Sequence, residues 1–301
     1  MPTVSVILPT HNRAHLLERS IGSVLSQTFG DLECLVIDDA SRDETEQLVK
    51  HLMESDSRLR YYRHETGKHA AGARNTGISH AKGKYIAFHD DDDEWLPAKL
   101  EKQVALLDKI PVEYGCVYCW ADFIDKAGQV VRRHRPSLRG NIYAETLVDN
   151  AIGCTPSLII RREAVEQTGA WNERLRTEED NEYIIRLCKI CKVDFVPEVL
   201  VKVHNAHVGE RVSTPLGEEG IQHAIDAIAA RYALYCDHKW AYRKQSAALE
   251  SRMGNLSGRL GNIKDSMKHF TESLKLAPFS TEPYRMVLSL IKWYIYQGRS
   301  R

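Results

Sequence analysis

Through its first hundred residues the chain alternates short apolar runs with amphipathic stretches, and this alternation admits few architectures. Val4-Ser5-Val6-Ile7-Leu8 reads as a strand, Leu16, Leu17, Ile21, Val24 and Leu25 recur at helical spacing, and Leu32 to Ile37 reads as a second strand. A helix-like stretch from Glu44 to Met53, a strand from Leu59 to Tyr62, a helix around Ala70 to Ala81 and the strand Tyr85 to Phe88 continue the series. Strands that alternate with helices are joined by crossovers, which predicts a mostly parallel central sheet flanked by helices, an α/β class. In such sheets ligands bind beyond the carboxyl ends of the strands, so the residues after each strand are the informative ones. These are Pro9-Thr10-His11-Asn12-Arg13, Asp38-Asp39-Ala40-Ser41 and His89-Asp90-Asp91-Asp92-Asp93. Polar and acidic groups therefore gather at one edge of the expected sheet.

From about residue 115 to 207 the pattern turns mixed, with strand-like runs at Gly115 to Phe123, Ser157 to Ile160 and Glu198 to Val203 and a helix from Glu179 through Cys191. Beyond Thr214 the chain reads helical to its end. Gly254 to Tyr284 is patterned as one tetratricopeptide-type helical pair followed by a third helix, and a single repeat must bury its apolar face on something else. With 41 basic and 41 acidic residues in 301, nothing global favours nucleic acid as a partner, and selectivity for anions must come from a local site. Seven cysteines, an odd number and scattered, argue for reduced thiols. Cys116-x-x-Cys119 and Cys188-x-x-Cys191 invite a zinc reading, but the first pair lies in a strand-like run and the second in a helix-like one, so buried thiols are expected. Met1-Pro2-Thr3 enters the first apolar run without a basic leader, and no run approaches the ~20 apolar residues of a membrane span. The expected location is the cytoplasm.

Asp90-Asp91-Asp92-Asp93 follows an apolar strand, and four adjacent carboxylates repel one another. A hard divalent cation held by one or two of them plus substrate phosphate oxygens relieves that repulsion; the alternative is a solvated loop or an acidic helix start. Asp38-Asp39 can accept hydrogen bonds from a ribose or a base, or simply cap the helix that begins near Asp43. Arg74, in a helical stretch, is a natural partner for a phosphate or a strand-end carboxylate. Glu178-Glu179-Asp180 opens a helix, where acids favour the positive end of the dipole.

The ordered series VSVILPTHNR (4–13), LVIDDAS (35–41), GARNTG (72–77), KYIAFHDDDDEWLP (84–97) and EEDNEYIIRL (178–187) resembles the motif series of the family 2 glycosyltransferases. The resemblance covers about residues 3–207. It implies a GT-A fold, Rossmann-like, over 1–213, with a nucleotide-sugar half (1–110) and an acceptor half (111–213), followed by a helical extension over 214–301. It further implies that Pro9, Thr10, Asn12 and Arg13 line the nucleotide pocket, that Asp39 contacts the base, and that Arg74 sits by the nucleotide. Asp90, Asp91 and Asp92 fall on the DxD signature, with Asp92 on the metal-binding position and Asp91 nearer the ribose. Asp91 stands where many relatives carry serine. Asp180 falls on the catalytic base, with Glu179 in reserve, and His204 or, preferably, His207 matches a histidine near the metal or diphosphate.

The implied activity is inverting transfer of a sugar from a nucleotide-diphosphate sugar, UDP by default, to an acceptor hydroxyl, with Mn²⁺ or Mg²⁺ as cofactor. The expected partners are that donor and a glycan or lipid-linked acceptor, the latter placing the protein at the inner face of a membrane. The C-terminal segment from Leu288 to Tyr296 is apolar and flanked by Lys292, Arg299 and Arg301, which suits core packing, a second subunit or a membrane surface. Two other classes share some features. A nucleotidyltransferase also pairs an α/β sheet with metal-binding aspartates but carries a basic glycine-rich segment after its first strand; a non-catalytic scaffold needs neither Asp92 nor Asp180.

Overall fold

Strands made of unbroken apolar runs must be covered on both faces, and the first strand, β1 (Val4–Thr10), is buried along nearly its whole length. In the computed structural model, which describes residues 1–147, 152–204, 217–234 and 243–299, Val4, Val6 and Leu8 point into one apolar cluster and Ile7 into another on the opposite face. This is the period of two expected of a strand. The helix α1 (Ala14–Leu25), β2 (Leu32–Asp38), α2 (Thr45–Ser55), β3 (Leu59–Arg63), α3 (His69–His80) and β4 (Tyr85–Phe88) follow in the expected alternation.

The strand order explains why ligand chemistry concentrates where it does. The sheet runs β3-β2-β1-β4, all parallel, so the chain steps outward from β1 to β3 and then returns to the other side of β1. The crevice between the carboxyl ends of β1 and β4 is thus the topological switch point, where the loops leaving the two strands diverge to opposite faces. Beyond β4 the sheet becomes mixed. It continues through β5 (Glu94–Trp95), β6 (Tyr114–Ile124), β7 (Val130–His134), β8 (Ile159–Arg161) and β9 (Lys192–His204), with β8 antiparallel to both β4 and β6, β6 parallel to β9, and β5 antiparallel to β9. α4 (Lys99–Lys109), a short α5 (Tyr143–Thr146), α6 (Arg162–Thr168) and α7 (Glu179–Ile190) complete this part.

Several segments differ in detail from the sequence reading. The expected strand at 157–160 is a 3₁₀ turn, Thr155–Ser157, leading into β8. The run expected at 198–203 is the end of a strand that begins at Lys192, and β5 is an additional two-residue strand. The paired cysteines hold no zinc-type cluster among the described residues. Burial pushes the thiols of Cys116, Cys119, Cys188 and Cys191 up, so they stay protonated and inert.

The chain forms two compact units, Met1–Thr146 with Asn150–Arg174 and Tyr183–Gly209, and Leu147–Asp149 with Leu175–Glu182 and Glu210–Arg301. The second unit holds α8 (Gly217–Ala233), α9 (Arg243–Arg259), α10 (Ile263–Leu276) and α11 (Glu282–Arg299). Small residues let α9 approach its neighbours closely. A Cβ at Gly254 would stand 3.0 Å from the Phe270 ring, and one at Gly258 would stand 2.4 Å from Leu290. The hydroxyls of Ser266 and Ser273 donate to the Gly254 and Ala247 carbonyls across the α9–α10 seam, both at 2.7 Å.

Candidate active site

The loops that leave β1 and β4 are locked together through the acidic run. Thr10 Oγ1 donates to Asp91 Oδ2 at 2.8 Å, and Arg13 Nη1 donates to Asp91 Oδ1 at 2.9 Å and to Asp92 Oδ2 at 3.2 Å. Arg19, further along α1, donates from Nη2 to the Asp92 carbonyl at 2.6 Å. Asp90 accepts from Arg74 at 3.1 Å, and Asp93 accepts from the His204 backbone N–H at 3.1 Å. Asp91 and Asp92 thus share Arg13, while Asp90 and Asp93 turn to Arg74 and to the His204 backbone, which is how the loop tolerates them.

The repulsion is only partly relieved. Burial, with Asp92 adding to it, pushes Asp91 up to about 6 although Arg13 and Thr10 pull the other way. Burial and the charges of Asp92 and Asp90 push Asp93 well above the carboxylate range. Surplus negative charge on hard oxygen donors is an environment suited to Mg²⁺ or Mn²⁺. Among the described residues no three His, Cys, Asp or Glu side chains converge as a cage, and Mg²⁺ is usually held by only one or two carboxylates with substrate phosphates and water. The oxygen donors are of the hard kind that such an ion takes, and Asp92 is the partly exposed one, beside Arg13.

The β2 loop is tied to the β1 loop and to the start of α3. The Asn12 N–H donates to Ser41 Oγ at 2.8 Å, the Arg42 N–H to Asn12 Oδ1 at 2.7 Å, and His11 Nδ1 lies 2.7 Å from the Asp39 carbonyl. The Asp39 carboxylate accepts the backbone N–H groups of Lys68 and His69, each at 2.7 Å, and contacts His64 Nδ1 at 2.7 Å. Burial raises the Asp39 carboxyl, but these donors outweigh it and hold the group below its usual value. Asp38 turns away, accepting Ser41 N–H and Tyr61 O–H, and Asp43, just ahead of α2, accepts Thr45 N–H at 3.2 Å and also Ala14 N–H at 2.9 Å. His64, Lys68 and His69 are the site neighbours that sequence reasoning missed; the signal available was Gly67 just ahead of a helix start.

Among the described residues, the non-glycine positions with left-handed φ are Asn12 (+54°), Ala40 (+63°), His69 (+61°) and Glu178 (+56°); His69 opens α3, and the other three lie in loops that bear a motif. Strain of this kind persists where surrounding contacts over-determine the backbone. Ala40 has no polar side chain to compensate, so Ala40→Gly should stabilise the protein by about 0.5–1 kcal/mol, the relieved Cβ clash exceeding the entropy that glycine adds to the unfolded chain. Urea denaturation reads this directly, and a lower midpoint for the variant contradicts it.

Arg74 is buried in α3 with its guanidinium 4.6 Å above the Trp171 ring, which stacks on Tyr183 at 4.1 Å. The helix can carry Arg74 this close to the sheet because Gly77 lies against β1, where a Cβ would come within 2.3 Å of Ile7. Trp171, also absent from the sequence reading, thus fixes the plane of Arg74. Pro9 closes β1 next to Thr10.

Asp180 sits in the first turn of α7 with Glu179, and its Oδ1 accepts the Asn181 N–H at 2.8 Å. The segment that bears it, Leu175–Glu182, belongs to the second compact unit. His204 ends β9 with its ring 3.4 Å from Glu94, while its backbone serves Asp93. His207 lies outside the described residues.

The sequence profile of Glycosyl transferase family 2 matches residues 5–169, more than half of the chain. The chain belongs to this family. An uncharacterized glycosyltransferase of Rickettsia prowazekii (strain Madrid E) is 29% identical over 226 residues, 72% of this chain and 68% of that protein. A UDP-Glc:α-D-GlcNAc-diphosphoundecaprenol β-1,3-glucosyltransferase of Escherichia coli is 45% identical over 111 residues, 37% of this chain and 43% of that protein. A GalNAc(5)-diNAcBac-PP-undecaprenol β-1,3-glucosyltransferase of Campylobacter jejuni is 40% identical over 119 residues, and the match spans 39% of this chain and 38% of that one. The chain therefore covers less than half of either glucosyltransferase. In structure, the chain resembles Staphylococcus aureus TarS 1–349 in complex with UDP-GlcNAc, with a TM-score of 0.63 at 16% identity over 91% of both chains. It also resembles a Pyrobaculum calidifontis mannosyltransferase in complex with GDP-Man and Mn²⁺, with a TM-score of 0.59 at 17% identity over 99% of this chain and 81% of that one. Both establish the GT-A type of fold, and family 2 membership sets the nucleotidyltransferase reading aside.

Proposed function

We propose that this family 2 glycosyltransferase moves glucose from UDP-glucose to a hydroxyl of a lipid-linked, diphosphate-bearing saccharide in glycoconjugate assembly, with inversion at the anomeric carbon. The observation that carries the reading is the interlock of Thr10, Arg13, Asp91 and Asp92 at the switch point of the sheet, where such folds bind nucleotides. Donor and acceptor class are supported by the names of the two glucosyltransferases similar to this chain.

In this reading Asp92 holds Mg²⁺ or Mn²⁺, and that ion, when bound, supplies Lewis-acid neutralisation of the departing diphosphate. Arg13 and Arg74 provide fixed positive charge beside the phosphates. Asp39, held ionised by its loop donors, faces the base with remaining acceptor capacity. Asp180 takes the proton of the acceptor hydroxyl as its oxygen bonds to the anomeric carbon and the bond to the diphosphate breaks. One displacement with the base on the acceptor side inverts the centre.

The test is a thermal-shift panel of UDP, GDP and TDP with Mn²⁺, Mg²⁺ or EDTA, since a ligand that binds only the folded state raises apparent stability by mass action. UDP with either cation should raise the Tm and UDP in EDTA should not. Equal shifts in EDTA remove the metal from the reading, and a larger shift with GDP removes UDP. Hydrolysis of UDP-glucose without acceptor separates an enzyme from a scaffold, which lacks it.

A further inference from the structure

We propose that the outward face of α11 is a docking surface for an anionic lipid bilayer. On this helix Tyr284 (59% exposed), Leu288 (58%), Ile291 (49%) and Ile295 (53%) recur at steps of four, three and four, which aligns them in one stripe. The flank beside the stripe is already used: Leu290 packs against Gly258, and Tyr294 O–H donates to the Gly258 carbonyl at 2.5 Å. The exposed stripe is therefore surplus to the packing of the helical unit. At the turn before the helix, Phe279 is likewise exposed (99%).

The charges beside the stripe select the occupant. Arg285 and Lys292 each follow a stripe residue by one position and are exposed, and among the described residues Arg285 meets an acid only through a surface pair with Glu282 at 3.5 Å, an interaction of little worth. If two copies paired antiparallel through this seam, these cations would face each other; if parallel, they would face Val287 and Tyr294. Neither arrangement sets an acid opposite them. An anionic headgroup layer does, while the stripe enters the acyl boundary, which is the pattern of a helix lying in a membrane interface. Among the described residues no helix is long and apolar enough to cross a membrane, so the contact is peripheral. The surface is independent of the sugar transferred, and it would hold the chain where a lipid-linked acceptor resides.

The experiment is flotation of the full chain with phosphatidylcholine vesicles, with or without about one-third phosphatidylglycerol, a content chosen to give an anionic surface. Wild type should float with the anionic vesicles, poorly with neutral ones, and less as salt rises. Arg285→Gln with Lys292→Gln should weaken partitioning by about thirty-fold, roughly fivefold per cation, and Leu288→Glu with Ile291→Glu should abolish it. UDP-dependent thermal shifts, measured in parallel, should persist in both variants, which also checks that they fold and keeps this test apart from the donor assignment. The proposal is overturned if wild type ignores anionic vesicles, floats equally with neutral ones, or forms a concentration-dependent dimer that Leu288→Glu breaks.

Discussion

Asp180→Asn should lower kcat by about 10²–10⁴-fold, the usual contribution of a positioned general base, while leaving donor affinity close to wild type. The reason is that a group whose work is removal of the acceptor proton acts in the transition state rather than in the donor complex. Asp180 lies in the first turn of α7, where Oδ1 accepts the Asn181 N–H. Asp92→Asn should instead damage donor binding and turnover together, because in the proposed reading Asp92 holds the cation that the donor diphosphate needs. The acidic limb of the kcat–pH profile should vanish in Asp180→Asn and persist in Asp92→Asn. Near wild-type transfer by Asp180→Asn, with loss in Glu179→Gln, shifts the base by one residue; full activity in both removes the base from this helix.

The parallel half of the sheet was legible because β1, β2 and β4 are runs whose period and length admit no other reading, and the strand-end motifs follow from their position. The mixed half was less so. A two-residue strand such as Glu94–Trp95 has no period to detect, and β9 is paired to β6 with register shifts that break its alternation. Within the site, the sequence gathered the strand-end polar groups at one edge of the sheet, and it is the adjacency of β1 and β4 that brings Thr10, Arg13 and the acidic run into contact. The partners of Asp39 were not, since His64, Lys68 and His69 reach it across 25 to 30 residues of chain and depend on how one loop folds over another. Trp171, which carries Arg74, is likewise remote in sequence and in a segment with no periodic signal.

The same loop that carries the acids contains a group that should govern acid stability. His89 is fully buried; its Nε2 lies 3.3 Å from Ser23 Oγ, which already donates to the Ser20 carbonyl, so the ring donates there and Nδ1 is left without a partner. Burial, reinforced by the Lys99 charge, pushes its pKa down to about 3. The unfolded chain takes up this proton near pH 6.5, so between about pH 6.5 and pH 3 it binds one more proton at this position than the native state. Stability from His89 is therefore complete above pH 6.5 and falls by about 1.4 kcal/mol per pH unit on acidification. Asp91 has the opposite sign. Its native pKa is raised to about 6, so the folded state binds the extra proton between about pH 6 and pH 4, and stability from it is lost as pH rises through 6. The two offset each other over that interval in the wild type. His89→Gln should thus make the protein gain stability, relative to wild type, by about 2–3 kcal/mol between pH 6.5 and pH 4.5, and Asp91→Asn should make it lose stability over the same range. Urea denaturation in metal-free buffer at half-unit intervals measures both slopes, and parallel curves for wild type and His89→Gln would show that the imidazole is protonated in the folded state.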